Sequence, residues 1–412
     1  MIKKLTNPEF DIVIVGGGLV GASLACALGD GGLDIAVIEA IPPGDPGQPS
    51  YDDRTIALAY SSRRIFEGIG VWDSIAQRSA CPVEHIHISD RGHFGFARLH
   101  AKDMQLEALG YVAETRALGA ALYEVMSGFK NITLICPAVV TDVIIDEGTA
   151  TLTLENDKKN KTIMTRLVVA ADGDDSPLRR AVGIKASKRV YDQTAVVANV
   201  TPGHDHGNVA YERFTSTGPL ALLPMPDNRC SVVWSTPRNN VDTILGWDDE
   251  TWIAELQKRF GDRLGKFSRA GRRVAYPLAL TRVRQSVVER VALIGNAAHT
   301  VHPVAGQGFN LGLRDVATLA QVIVDAQRAG KDFGSLDVLS SYADWRQRDN
   351  KQVASFTDGL IRIFSNENLP LTIARNLGLT FVNLFPGIRR SFIRRTSGLN
   401  GRLPRLARGL PL

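Results

Sequence analysis

Cysteine is scarce in this chain. Four thiols, Cys26, Cys81, Cys136 and Cys230, are scattered through 412 residues and none forms a CxxC pair. That spacing argues against a zinc clip and for a reducing compartment. Long apolar runs are also missing, and none reaches the length needed to cross a bilayer. The opening MIKKLTNPEF holds neither the apolar segment nor the small-residue cleavage site of a secretion signal. The expected location is therefore cytoplasmic, with attachment to the inner face of a membrane as the peripheral alternative. Solenoid-length repeats and low-complexity segments are absent. Acidic residues are missing from one stretch: between 369 and 412 stand eight arginines (375, 389, 390, 394, 395, 402, 405, 408) and no acid. The net charge of +5 is thus uneven, because without those eight the chain has 40 basic against 43 acidic residues.

What is present is ordinary in bulk and specific in pattern. A content of 44% hydrophobic and 22% charged residues is that of a soluble globular protein, long enough for two or three packed subdomains. FDIVIV (10–15) suits a buried parallel strand, GGGLVG follows at once, and ASLACALGDGG has helical spacing. A second strand, DIAVIEA, ends in Glu39-Ala40. Gly16, Gly18 and Gly21, with Leu19 and Val20 between them, make a GxGxxG turn. Its first glycine turns tightly, its second admits a pyrophosphate and its third lets helix and strand touch. Glu39 is placed for the hydroxyls of an adenosine ribose. Strand, turn, helix and acid together point to dinucleotide binding, and this unit alone does not choose the dinucleotide.

Two later segments add to it. RLVVAADGDDSPLRRAVG (166–183) is a strand running into Asp172-Gly173, with Ser176 ready to cap a helix carrying Arg179. After RVALIG comes GNAAHTVHPVAGQGFNLGLRD (295–315). So many glycines weaken a core element unless backbone must approach something closely. Amides at the start of a helix opening near Asn310 suit the electron-rich edge of a bound group.

The three motifs, in this order, resemble those of the aromatic hydroxylases of the single-component FAD monooxygenase class. DDRTIALAYSSRRIFEGIGVW (52–72), GPLALLP (218–224), the 295–315 segment and the ending GLNGRLPRLARGLPL look most like the ubiquinone-biosynthesis hydroxylases. The asparagine form of the third motif is most similar to the 2-polyprenyl-6-methoxyphenol hydroxylases. The resemblance implies an α/β fold: a Rossmann-like FAD domain interrupted by an antiparallel-sheet substrate domain, then C-terminal helices. It implies FAD, with NAD(P)H or a separate reductase as electron donor and O2 as co-substrate, hydroxylating a phenol by way of a flavin C4a-hydroperoxide. Carried over residue by residue, it implies that Glu39 holds the ribose, that Arg54 bonds the cofactor, and that Asp172 and Gly173 lie where it meets a pyridine nucleotide. Pro303, Gly306, Gln307, Gly308, Asn310 and Leu311 are implied along the flavin ring. Two departures stand out. Asn296 replaces the class's usual Asp, which weakens a ribityl contact, and Thr115 stands where many relatives carry a longer polar side chain.

On this reading the FAD domain comprises 8–80, 111–186 and 281–335, with substrate-domain segments at 81–110 and 187–280 and helices with a basic tail over 336–412. HIHIS, TAVVANV and CSVVWS alternate as antiparallel strands do. Tyr211, Phe214, Leu220, Leu222 and Pro224, with Trp234 and Tyr276, are candidates for an apolar substrate wall, or for plain sheet core. No dedicated base stands out, as expected where the cofactor carries the oxidising power. His299 and His302, beside Pro303, are the candidates for proton handling, with packing beside the loop as the plainer role. His85-x-His87 and His204-x-His206 lack further ligands, so no metal is expected. The basic tail suits an anionic membrane surface, other quinone-biosynthesis proteins, or simple solvation; no nucleic-acid motif accompanies it. A same-fold isoprenoid-reducing flavoprotein and a non-catalytic flavoprotein scaffold are the alternatives. A halogenase is disfavoured, since Trp234, Trp247 and Trp252 form no WxWxIP.

Overall fold

The computed structural model describes residues 8–45, 54–156, 159–301, 306–364 and 368–412. His302 and Pro303 lie outside them. FDIVIV forms the strand Phe10–Val15 at the centre of an eight-stranded sheet. It pairs in parallel with Ile35–Ile38 on one side and with the end of Lys159–Ala170 on the other. Ile132–Ile135 and Val291–Leu293 extend the parallel part outward. Both faces of these strands are covered, which is why they read as unbroken apolar runs rather than alternating ones. The helices Leu19–Leu28 and Gln307–Arg328 pack together against this sheet, and Thr115–Ser127 packs on the first.

Gly21 shows how tightly the first turn is built. A Cβ there would sit 1.9 Å from the Gly16 carbonyl oxygen, so no other residue fits.

The second sheet has nine strands. Its order is His299–Thr300, Val274–Val283, Ala186–Thr201, Arg229–Pro237, Gly218–Met225, Val209–Thr215, His85–Asp90 and Phe96–His100. All its pairings are antiparallel but one. Val209–Thr215 runs parallel to His85–Asp90, a strand from a distant part of the chain. A small third sheet, Thr55–Ala59 with Gly110–Glu114 and Cys81–Val83, bridges the two layers. Thr55 Oγ1 donates to Ser231 Oγ at 2.7 Å and fastens it to the large sheet.

The C-terminal part folds onto the body. Leu336–Phe364 lies along Gln307–Arg328, while Leu369–Leu384 crosses the Phe96–His100 edge of the large sheet and Pro386–Thr396 follows. Part of the tail's positive charge meets acids of the body. Arg375 Nε donates to Asp90 Oδ2 at 2.7 Å, with both side chains buried, and Asn376 Nδ2 donates to the same oxygen at 3.0 Å. Arg389 pairs with Asp103 at 2.9 Å, and Arg405 with Asp325 at 2.5 Å. Removing one partner of a buried pair strands the other charge. Arg375→Ala should therefore cost about 3–5 kcal/mol, read as a lower urea midpoint and faster proteolysis of the 369–396 helices.

Candidate functional site

A cavity of about 700 Å³ lies between the two large sheets. One end is walled by the glycine-rich segments: Gly18, Leu19, Val20, Gly173, Gly295, Asn296, Gly306, Gly308, Asn310 and Gly312, with Arg54 and Thr115 nearby. The other end is walled by one face of the nine-stranded sheet and closed by Leu379 and Phe392 of the tail helices.

Each element at the first end has a visible local cause. The long helix begins at Gln307 rather than Asn310, with Gly306 before it at φ +62°, a left-handed turn that glycine adopts without strain. Asn310 is spent internally: its Nδ2 donates to the Ala57 and Gly306 carbonyls, and its Oδ1 accepts from Ala59 N and Ser62 Oγ. It clamps the small sheet to the helix start. Ser176 Oγ accepts from Arg179 N and caps the short helix, while the Arg179 guanidinium donates to the Asp174 and Ala297 carbonyls at 2.8 Å. The second and third motifs are stapled together by that one side chain. Thr115 Oγ1 donates to the Arg54 carbonyl at 3.2 Å, and Arg54 lies over the Tyr276 ring.

The remaining expected residues fall beside the cavity rather than on it. Glu39 accepts from Gly17 N at 2.7 Å and Ile41 N at 3.0 Å, so its carboxylate is fixed against the glycine turn. Ala40 is exposed beyond it, and Gly16 and Gly21 shape the turn from behind. Leu311 is buried with Val301 and Val353, and Gln307 accepts from Arg314. Asp172 accepts from Leu178 N, its other oxygen is buried without a partner among the described residues, and burial pushes its carboxyl up.

Two expectations need correction. His299 is not on the cavity wall; it is buried, with Nε2 2.6 Å from Asp315 Oδ2. It serves the frame beneath the loop. The apolar wall is also on the other face of its strand. Leu220 and Leu222 pack with Trp234, Trp252 and Phe260 in the core outside the cavity, and Pro224 shares their side. Strand alternation gives the cavity Pro219, Ala221 and Leu223 instead. Tyr211 and Phe214, three residues apart, cannot share a face. Both residues border the cavity, Phe214 from the face it shares with Glu212, while the Tyr211 ring packs on Phe260 at 5.2 Å. The same alternation places Glu212 on the cavity wall beside Phe214, a residue the sequence reading passed over.

A family model described as FAD binding domain matches residues 9–357. The chain belongs to that FAD-binding family. It is 40% identical over 406 residues to the ubiquinone hydroxylase UbiL of Rhodospirillum rubrum, covering 98% of this chain and 93% of that one. It is 33% identical to the 3-demethoxyubiquinol 3-hydroxylase of Escherichia coli, covering 96% and 100%. Among solved structures, p-nitrophenol 4-monooxygenase PnpA from Pseudomonas putida shares the fold with a TM-score of 0.79 at 18% identity, covering 95% and 98%. These relationships establish a FAD-dependent aromatic hydroxylase of the flavoprotein monooxygenase class.

The residues present fit FAD. Asn296 stands exposed in the cavity wall with no partner among the described residues, and Gly308 leaves the backbone of the helix start open to the cavity. Beneath them runs a buried charge chain. Asp315 accepts from Gly295 N at 3.0 Å and from Arg346 Nε at 2.6 Å besides meeting His299, and Arg346 and Arg314 share Asp349. Burial alone pushes the Asp315 carboxyl up, but His299 and Arg346 outweigh it and hold it down at about 2. A depressed carboxyl stabilises the fold above its unfolded value and loses that contribution as pH falls through the folded one. Its stabilisation is therefore complete at neutral pH and fades only from about pH 4 toward 2. Asp315→Asn should cost about 3–5 kcal/mol at pH 7 and release FAD at lower urea, followed by flavin fluorescence.

Proposed function

We propose that this enzyme hydroxylates a phenolic ring bearing a long apolar substituent, of the polyprenylated methoxyphenol class used in ubiquinone biosynthesis. The observation that carries the reading is one cavity, lined by the glycine-rich segments at one end, where FAD would be held, and almost wholly apolar at the other. Ile86, Ile88, Leu99, Val197, Val233 and Leu223 wall that second end. The names of the relatives from Rhodospirillum rubrum and Escherichia coli support the same substrate class.

Bound FAD, once reduced by NAD(P)H or by a separate reductase, supplies the activation of O2. The chain does the rest. The sheet excludes water from the reacting end, and Phe214, Pro219 and Ala221 limit the positions a ring can take. Electrophilic attack needs an electron-donating ring substituent, so a phenol suits this chemistry better than an unsubstituted ring.

The tail helices fit a role in collecting such a substrate. Ile373, Leu377, Phe381, Leu384, Phe385 and Ile388 are exposed along one run, and Arg390 and Arg394 are exposed close by. We read this as a surface for an anionic bilayer, adjoining the helices that close the cavity. An acidic protein partner is the competing occupant.

Reduced enzyme given a prenylated methoxyphenol should consume oxygen in a substrate-dependent way and yield a product heavier by one oxygen. Oxygen use that ignores the phenol, with peroxide as the sole product, would sink the substrate assignment. Ala221→Phe should lower kcat/KM for that phenol by about tenfold or more through overpacking, while FAD content stays unchanged. In co-sedimentation with vesicles of one part anionic to three parts neutral lipid, Arg390→Glu with Arg394→Glu should weaken binding at least about thirtyfold, at roughly 1 kcal/mol per arginine. Equal sedimentation of variant and wild type would remove the membrane role.

A further inference from the structure

Among the described residues, the cavity wall contains one carboxylate, Glu212. It sits mid-strand in Val209–Thr215, where an acid is out of place, and its cross-strand neighbours are Ala221 and Ile88. Beyond Ala221 the same row continues with Val233 and Val197, so Glu212 is set in a line of hydrocarbon. It has no hydrogen-bond or ion-pair partner among the described residues. On its own strand Tyr211 and Arg213 alternate to the opposite face. The other ionisable groups on the wall are occupied elsewhere. Arg54 lies over Tyr276, the Tyr111 hydroxyl donates to Glu107 at 2.8 Å, and Tyr211 packs on Phe260. The tail helices present Leu379 and Phe392 to the same cavity.

An acid held in hydrocarbon without a partner carries a standing cost, and a fold keeps one where it acts. We infer that Glu212 is the proton acceptor for the ring hydroxyl of the phenolic substrate, an inference that rests on the hydroxylase reading above. As the ring attacks activated oxygen, the phenol O–H bond breaks and an O–H bond forms on Glu212. No electrons pass in that proton transfer; the ring is oxidised and O2 reduced through the FAD chemistry already assigned. The hydroxylated carbon then loses its hydrogen as a proton to water, the C–H electron pair restores the aromatic ring, and Glu212 returns its proton to the ring oxygen. The state of the carboxyl suits the task. Burial, with no charge nearby to oppose it, pushes Glu212 up to about 7, so that both forms are populated at neutral pH.

Glu212→Gln keeps the shape and removes the proton acceptor. In the FAD-loaded enzyme it should lower kcat for the prenylated methoxyphenol about 100-fold or more, with KM and FAD content nearly unchanged. Wild-type kcat should rise with pH through about 7. That limb should vanish in Glu212→Gln and return in part in Glu212→Asp. A second readout needs no turnover. An acid raised by burial loses stability as pH climbs from its ordinary value through the folded one, so Glu212→Gln should raise Tm at pH 8 and leave it little changed at pH 4. A Glu212→Gln enzyme with wild-type kcat, or one that keeps the acidic limb, overturns the role of Glu212 alone. An equal Tm shift at both pH values shows that Glu212 is not a stranded acid and overturns it too. A wild type that shows no phenol-dependent oxygen consumption fails one step earlier, at the functional reading, and takes this inference with it.

Discussion

The carboxylate of Asp315 is the point from which the FAD side of the cavity is hung. It reaches the backbone of Gly295 at the head of the third motif, His299 four residues on, and Arg346 from a separate helix. Three segments that share no regular pairing are thereby held in one arrangement. A loop rich in glycine has no side chains with which to fix itself, so its shape must be imposed from below. A buried charge is a costly way to do this, since desolvation penalises every member of the network. It gains specificity in return, because only one placement satisfies Asp315, Arg346, Asp349 and Arg314 together.

That constraint explains why some of the site was legible in sequence and some was not. The glycine-lined end of the cavity was readable because its architecture is backbone architecture. Gly16, Gly18, Gly21, Gly306 and Gly308 are defined by close approach, and glycine spacing records close approach directly. Asp315 closes the third motif in plain sight, yet nothing local says that its partner is Arg346, 31 residues on. His299 stands out as a titratable residue beside the loop, and the structure pairs it with Asp315, which Arg346 holds from the other side.

The substrate end failed for a different reason. GPLALLP is apolar at nearly every position, so it carries no polar phase from which to decide which residues face inward. Choosing Leu220 and Leu222 instead of Pro219, Ala221 and Leu223 was a choice between two equal patterns. The strand VAYERFT does carry a phase. Once Phe214 is placed on the wall, the period of two puts Glu212 on the same face. The tail's lack of acids was legible; the acids that answer it were not, since Asp90 lies 285 residues from Arg375.

These two ends are joined by the part of the chain that seemed least structured by motif. The helix Leu369–Leu384 is anchored inward by Arg375 and Asn376 on Asp90 and places Leu379 on the cavity wall, while its outer side carries Ile373, Leu377 and Phe381 into solvent. One helix thus borders both the substrate space and the outside. A substrate with a long apolar tail need not fit entirely within about 700 Å³ alongside FAD. On the function proposed above, its ring lies at the glycine-lined end and its tail leaves past the helices that border the far end. The exposed apolar run and the arginines beside it stand on the same tail helices that lend Leu379 and Phe392 to the cavity wall.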